Sequence, residues 1–232
     1  MDSGAWAIPR LPNRREAGRR LAERLLKYQA DKPLVLALPR GGVPIAYEIA
    51  QRLHAPMDVL IVRKIGSPDN PEYGLGAVVE GGHQYLDVAR VREAGTTVAY
   101  LRPAVAEESR ELDRRCRLYR SGQPRTALKD RLVIVVDDGV ATGGTMLAAI
   151  QALRSSLVRK VVVALGVCPP TAMWTISQHA DDVVALLVPE PFVAVGQWYD
   201  DFAQVTDDEV IRMLRHTHRP SVTVGPRTHA TG

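Results

Sequence analysis

The sequence predicts an α/β fold, a five-stranded parallel sheet flanked by helices, with a hood and a helical insertion. Three observations predict it. Short aliphatic runs recur at PLVLAL (33–38), MDVLIVR (57–63), RLVIVV (131–136), KVVVALGV (160–167) and DVVALLV (182–188), and their unbroken apolar character suits strands buried on both faces. Stretches with helical periodicity separate most of these runs, as crossover connections require. Two glycine-rich loops, PRGG and DDGVATGG, follow strands, where open α/β sheets hold their ligands.

Taken in order, a Pro-containing leader runs into RREAGRRLAERLLKYQA, which spaces Ala17, Leu21, Leu25 and Tyr28 at helical intervals with arginines between them. The first strand (33–38), the PRGG turn, a helix over 43–53 and the second strand (57–63) make a β–loop–α–β unit. From 65 to 90 the pattern breaks down into a stretch dense in Gly, Pro, Asn and Asp, with weak alternation at 75–79 and 84–88. A helix is expected over about 102–122. The α/β rhythm resumes with the strand at 131–136 and a helix over 145–156. A strand at 160–167, a helix over 169–179 and a strand at 182–188 follow. Thr206 and Glu209 form a capping box for a last helix.

The expected organisation is a single domain over 1–217, with a core at about 33–64 and 131–188. A flexible loop spans 65–82, a helical insertion about 83–130 and a hood about 189–212. Residues 218–232 read as a disordered tail.

Composition narrows the function classes. The 232 residues are 46% hydrophobic and 5% aromatic, enough for an aliphatic core, and the formal net charge is +4. The arginines of the segments near 10–24 and 110–125 read as solvated helix faces. Glu107, Glu108, Glu111 and Asp113 interleave with the second set, which argues against nucleic acid. Cys116 and Cys168 lie far apart without metal-ligand spacing, as in a reduced cytoplasmic chain. The first residues hold no apolar signal core, and no apolar run approaches the roughly 18 residues of a membrane span.

The chemistry concentrates in VVDDGVATGGTM (135–146). Gly139, Gly143 and Gly144 leave backbone N–H groups open to an anion at a helix N-terminus, and Thr142 and Thr145 add hydroxyl donors. The loop lacks the lysine of a Walker A motif and does not match GxGxxG. A tight strand-to-helix turn capped by threonine is the plain alternative. Asp137 and Asp138 weigh against it, because two adjacent unpaired carboxylates at the end of an apolar strand repel and lose solvation. A ligand with vicinal hydroxyls would turn them into two charge-assisted hydrogen bonds.

This stretch resembles the PRPP-binding signature of type I phosphoribosyltransferases, and the joint presence of LPRGGVP and DDGVATG resembles an uncharacterised subgroup of that family over about 10–212. The resemblance implies that Asp137 and Asp138 hold the ribose hydroxyls and that Ala141, Thr142, Gly143, Gly144 and Thr145 hold the 5′-phosphate. It assigns pyrophosphate to Arg40, Gly41, Gly42 and Lys64, with Arg40 and Lys64 as the catalytic cations. In that family the loop at the PRGG position often contains a non-proline cis peptide. Phe192, Val193 and Trp198 would contact the base, with Tyr199 able to shape the pocket. Mg²⁺ is implied as cofactor, with Asp137 and Asp138 helping it mostly indirectly. The implied partners are PRPP, a nucleobase-like acceptor and a second copy of the chain as a homodimer. Hypoxanthine–guanine members carry an aspartate base at the fifth signature position, where this sequence has Ala141. The alternative is therefore a catalytically weak or inactive PRPP- or nucleotide-binding regulator. A nucleotide hydrolase fits less well, for the sequence offers neither a metal-carboxylate cluster nor a nucleophile–base pair.

Overall fold

The computed structural model describes residues 9–70 and 73–217. The elements run α1 (Arg14–Leu25), β1 (Leu34–Ala37), α2 (Gly42–Leu53), β2 (Met57–Val59), β3 (Val62–Gly66), β4 (Gly74–Val79) and β5 (His83–Leu86). They continue with α3 (Val88–Glu93), α4 (Val98–Arg120), β6 (Leu132–Gly139), α5 (Gly144–Ser155), β7 (Lys160–Val167), α6 (Pro170–Ser177), β8 (Asp182–Leu187) and α7 (Asp207–Thr217).

The five expected strands form one parallel sheet in the order β2-β1-β6-β7-β8. Residues of opposite parity face opposite layers, as strand periodicity demands. Val35, Ala37, Ile134, Val136, Val162 and Ala164 share a core with α1, α2 and α7. Leu34, Leu36, Val133, Val135, Val161, Val163 and Leu165 share another with α5 and the inner face of α6. Because β1 and β6 are neighbours in register, with Ala37 opposite Val136, the loops that leave them emerge side by side.

Local chemistry sets the helix ends. Asn13 caps α1 by accepting the Glu16 N–H at 2.9 Å. This helix stops at Leu25 and tightens into a 3₁₀ turn over Leu26–Asp31, which places Tyr28 in the core. The capping box at α7 forms as expected: Thr206 Oγ1 accepts the Glu209 N–H at 3.2 Å, and Glu209 Oε2 accepts the Thr206 N–H at 2.8 Å.

Four expectations need correction. The run 57–63 is not one strand, since β2 ends at Val59 and the chain passes through Leu60 and Ile61 into a second sheet. The stretch expected as a loop, 65–82, contains β4, paired antiparallel with β3 and with β5. Its glycines mask the strand pattern, yet Gly76 is required there, for a Cβ would lie 2.1 Å from the Tyr85 carbonyl oxygen. The insertion expected as helical from 83 accordingly opens with β5 before α3 and α4. The tail expected over 218–232 lies outside the described residues.

Nor are the arginine faces wholly solvated. Arg120 is no solvated side chain: with 8% of its side chain exposed it donates to Asp58 Oδ1 at 3.0 Å, to both Glu80 oxygens and to the Val59 carbonyl at 2.8 Å. Asp58 also accepts the Thr126 N–H at 3.1 Å. This buried cluster ties the end of α4 to β2 and to the turn after β4.

Candidate active site

The PRGG loop and the DDGVATGG loop touch. Leu38 extends the pairing of β1 by donating its N–H to the Val136 carbonyl at 2.9 Å, the Pro39–Arg40 peptide is cis, and α2 begins at Gly42. A Cβ on Gly41 would fall 2.0 Å from Asp138 Oδ2, and one on Gly42 would fall 2.4 Å from the Val136 carbonyl oxygen. A side chain at Gly42 would push the two loops apart, and one at Gly41 would displace the Asp138 carboxylate or the start of α2. The Arg40 side chain turns toward the start of α7, where it pairs with Asp207 at 3.5 Å. Asp207 also accepts the Tyr119 hydroxyl at 2.7 Å.

The adjacent carboxylates have unlike surroundings. Asp138 is buried and pairs with Arg14, its Oδ2 lying 2.8 Å from the guanidinium Nε. Its backbone carbonyl accepts the hydroxyl of the buried Tyr199 at 2.6 Å, and burial holds that phenol well above its ordinary pKa, hence protonated. Asp137 accepts the Asp138 N–H at 2.9 Å. Burial first, and the charge of Asp138 second, raise the Asp137 carboxyl well above the usual carboxylate range. Ionising both neighbouring carboxyls thus carries a cost to the fold.

That cost yields a prediction. A carboxyl whose pKa is higher in the folded than in the unfolded chain favours the fold at low pH, and this contribution is lost as pH rises through the folded value. Asp137→Asn, which keeps the acceptor for the Asp138 N–H, should therefore melt above the native protein at neutral and alkaline pH. The gap should shrink as pH falls toward about 4, near the ordinary carboxylate pKa. Thermal melts across pH test this, and a variant that melts lower at pH 8 would contradict it.

Beyond the acids, Val140 donates its N–H to the Val167 carbonyl at 3.1 Å, and Ala141 and Thr142 stand exposed. Gly143 caps α5 at φ 81°, a backbone region that favours glycine. A Cβ on Gly144 would meet only the Thr142 hydroxyl at 4.0 Å, so that backbone is open to approach. The first N–H groups of α5 have no partners within the helix, which suits an anion. Thr142, Gly144 and Thr145 line a cleft of about 760 Å³ between α5 and the small antiparallel sheet, and Lys64 and Arg90 line the same cleft. Lys64, on β3, thus borders the same cleft as the loop at the start of α5.

The hood is brought in less as expected. Val195 packs against Gly139, where a Cβ would lie 2.7 Å from its Cγ1. Phe192 is half-buried and Val193 is 82% exposed. Trp198, expected at the base, is instead buried in the core beneath the hood, where Leu11 of the leader donates to its carbonyl at 2.8 Å. Tyr199 and Phe202 take the positions beside the acids: their rings lie 5.2 Å apart, and the Arg14 guanidinium stacks 3.8 Å from the Phe202 centroid. Sequence reasoning misses Arg14, which is hidden in a basic helix, and Phe202, which sits in a hood without periodicity. The aromatic density of WYDDF is the only signal for that side of the site. Among the described residues no group of three or more His, Cys, Asp and Glu side chains could hold a metal, and no helix is long and apolar enough to cross a membrane.

Residues 6–182 match the family model described as the phosphoribosyl transferase domain. Two proteins of Mycobacterium tuberculosis, each named "Putative phosphoribosyl transferase", are 42% identical over 213 residues, which is 92% of this chain and 48% of theirs. The chain thus spans about half the length of the curated relatives it matches. The crystal structure of TT1426 from Thermus thermophilus is similar with a TM-score of 0.78 at 44% identity, covering 89% of this chain and 98% of that one.

Proposed function

Since the chain belongs to the phosphoribosyltransferase family, we propose that it transfers the 5-phosphoribosyl group of PRPP to a nitrogen nucleophile, a nucleobase in class, with release of pyrophosphate. In this reaction the bond from the anomeric carbon to pyrophosphate breaks, a bond to nitrogen forms, and the nitrogen loses its proton. Positive charge develops on the ribose and negative charge on the leaving group, so catalysis is chiefly positioning and electrostatics.

The residues fit that task. Asp137 and Asp138 take the ribose hydroxyls, and residues 141–145 take the 5′-phosphate at the start of α5. Gly41 and Gly42 offer backbone to pyrophosphate, with Arg40 and Lys64 as the cations, Arg40 turning from Asp207 to do so. Phe192 and the backbone near the exposed Val193 meet the base. With no protein cage of three ligands among the described residues, a Mg²⁺ ion would take most of its oxygens from the donor, and Asp137 and Asp138 would help it indirectly. When bound it supplies charge neutralisation of the leaving pyrophosphate. A cytoplasmic homodimer belongs to the same reading.

The observation that carries the proposal is the approach of Gly41 to Asp138, which joins the pyrophosphate loop and the ribose loop in one site. A second reading, a catalytically weak or inactive PRPP-binding regulator, is favoured by Ala141, which cannot accept a proton from the acceptor. Pyrophosphate release from PRPP with Mg²⁺ and a panel of nucleobases decides between them. Release that requires one acceptor supports the transferase. PRPP binding without release for any acceptor supports the regulator.

A further inference from the structure

Arg14 lies in the leader helix, 124 residues from the acids in sequence, yet no other cation is paired with Asp138 among the described residues. Both side chains are nearly buried, at 11% and 13% exposure. The guanidinium is held on three sides: Nε on Asp138 Oδ2 at 2.8 Å, one terminal nitrogen on the Ala203 carbonyl at 2.7 Å, and its face on the Phe202 ring at 3.8 Å. Oδ2 lies between Arg14 Nε and Gly41, where a Cβ would fall 2.0 Å from Oδ2 and 2.9 Å from Oδ1. The backbone of Asp138 is gripped from the other direction by the Tyr199 hydroxyl, for which Gly166 leaves the room, since a Cβ there would lie 1.9 Å from that oxygen.

We propose that Arg14 is a positioning residue for the donor sugar: it fixes the Asp138 carboxylate by Oδ2, so that the other oxygen is presented to a ribose hydroxyl. This rests on the reading of Asp137 and Asp138 as the ribose site. Docking of the leader does not explain the contact, because Asn13 already caps α1 and Leu11 already bonds to Trp198 and Asp200 through the backbone. Nor is it a generic counter-charge. A lysine could neutralise Asp138, but it has no planar fork to reach Ala203 at the same time while lying flat on Phe202. Without Arg14 the two neighbouring carboxylates would repel, and Asp138 would turn away from the geometry a hydroxyl needs.

The test is calorimetric binding of ribose 5-phosphate against its 2-deoxy and 3-deoxy analogues to the native protein, Arg14→Met and Arg14→Lys. The native protein should prefer the full sugar over the analogue lacking the hydroxyl held by Asp138. Arg14→Met should reduce that preference about tenfold, with Arg14→Lys between the two. Phe202→Leu, which keeps the charge and removes the surface beneath it, should shift the preference in the same direction and serves if Arg14→Met does not fold. A preference that stays constant while all three ligands weaken together would make Arg14 a structural residue only and overturn the inference. A native protein that binds the three sugars alike, or none of them, would instead overturn the ribose reading beneath it.

Discussion

Gly41→Ala should weaken PRPP binding by about 100-fold, the consequence of about 3 kcal/mol of overpacking at the junction of the two loops. The added carbon would lie 2.0 Å from Asp138 Oδ2, a separation no native contact has, so the carboxylate or the start of α2 must move. Movement of either dismantles the site: Asp138 would leave Arg14, or the PRGG loop would leave the acids. Gly144→Ala provides the contrast. Its Cβ would enter open space, so the melting temperature should hold while phosphate loses its close approach to the backbone. Calorimetry of PRPP with Mg²⁺, beside thermal melts, checks both. Native affinity in Gly41→Ala would mean that the ligand does not sit where the loops meet.

Arg120→Met should lower stability by about 3–5 kcal/mol, because it strands two carboxylates that are otherwise buried and paired. For a chain of this size that is on the order of a 10 °C drop in melting temperature. Asp58 is 2% exposed at its side chain and cannot regain water without opening the contact between α4 and β2. Arg120→Lys should fail nearly as badly, since one ammonium cannot serve Asp58, Glu80 and the Val59 carbonyl together. A melting temperature within about 2 °C of the native one would show that this cluster contributes little to holding the insertion.

The parallel sheet is legible because each of its strands lies in an aliphatic run, buried in all but the half-buried edge strand β8, and the loop chemistry is legible because PRGG follows one of these runs and DDGVATGG begins at the end of another. Both loops meet, as the shared strand ends imply. The small sheet is not legible: β4 starts Gly-Leu-Gly, where one glycine is dictated by a carbonyl of β5 that local sequence does not reveal. Arg14 and Arg120 read as solvated because a helix face shows only its own periodicity. Their partners lie 124 and 62 residues away. Tyr199 depends likewise on Asp138 and Gly166, contacts set by tertiary packing. Trp198 reads as a base contact through its proximity to the hood, whereas its apolar surface is better placed in the core.

The most direct test of a single PRPP site built from both loops is calorimetric titration of PRPP and Mg²⁺ into the native protein and into Asp137→Asn/Asp138→Asn. One PRPP should bind per chain in the native protein, and the double variant, which should still fold, should show no measurable binding. Undiminished binding in the double variant, or none in the native protein, would rule out such a site.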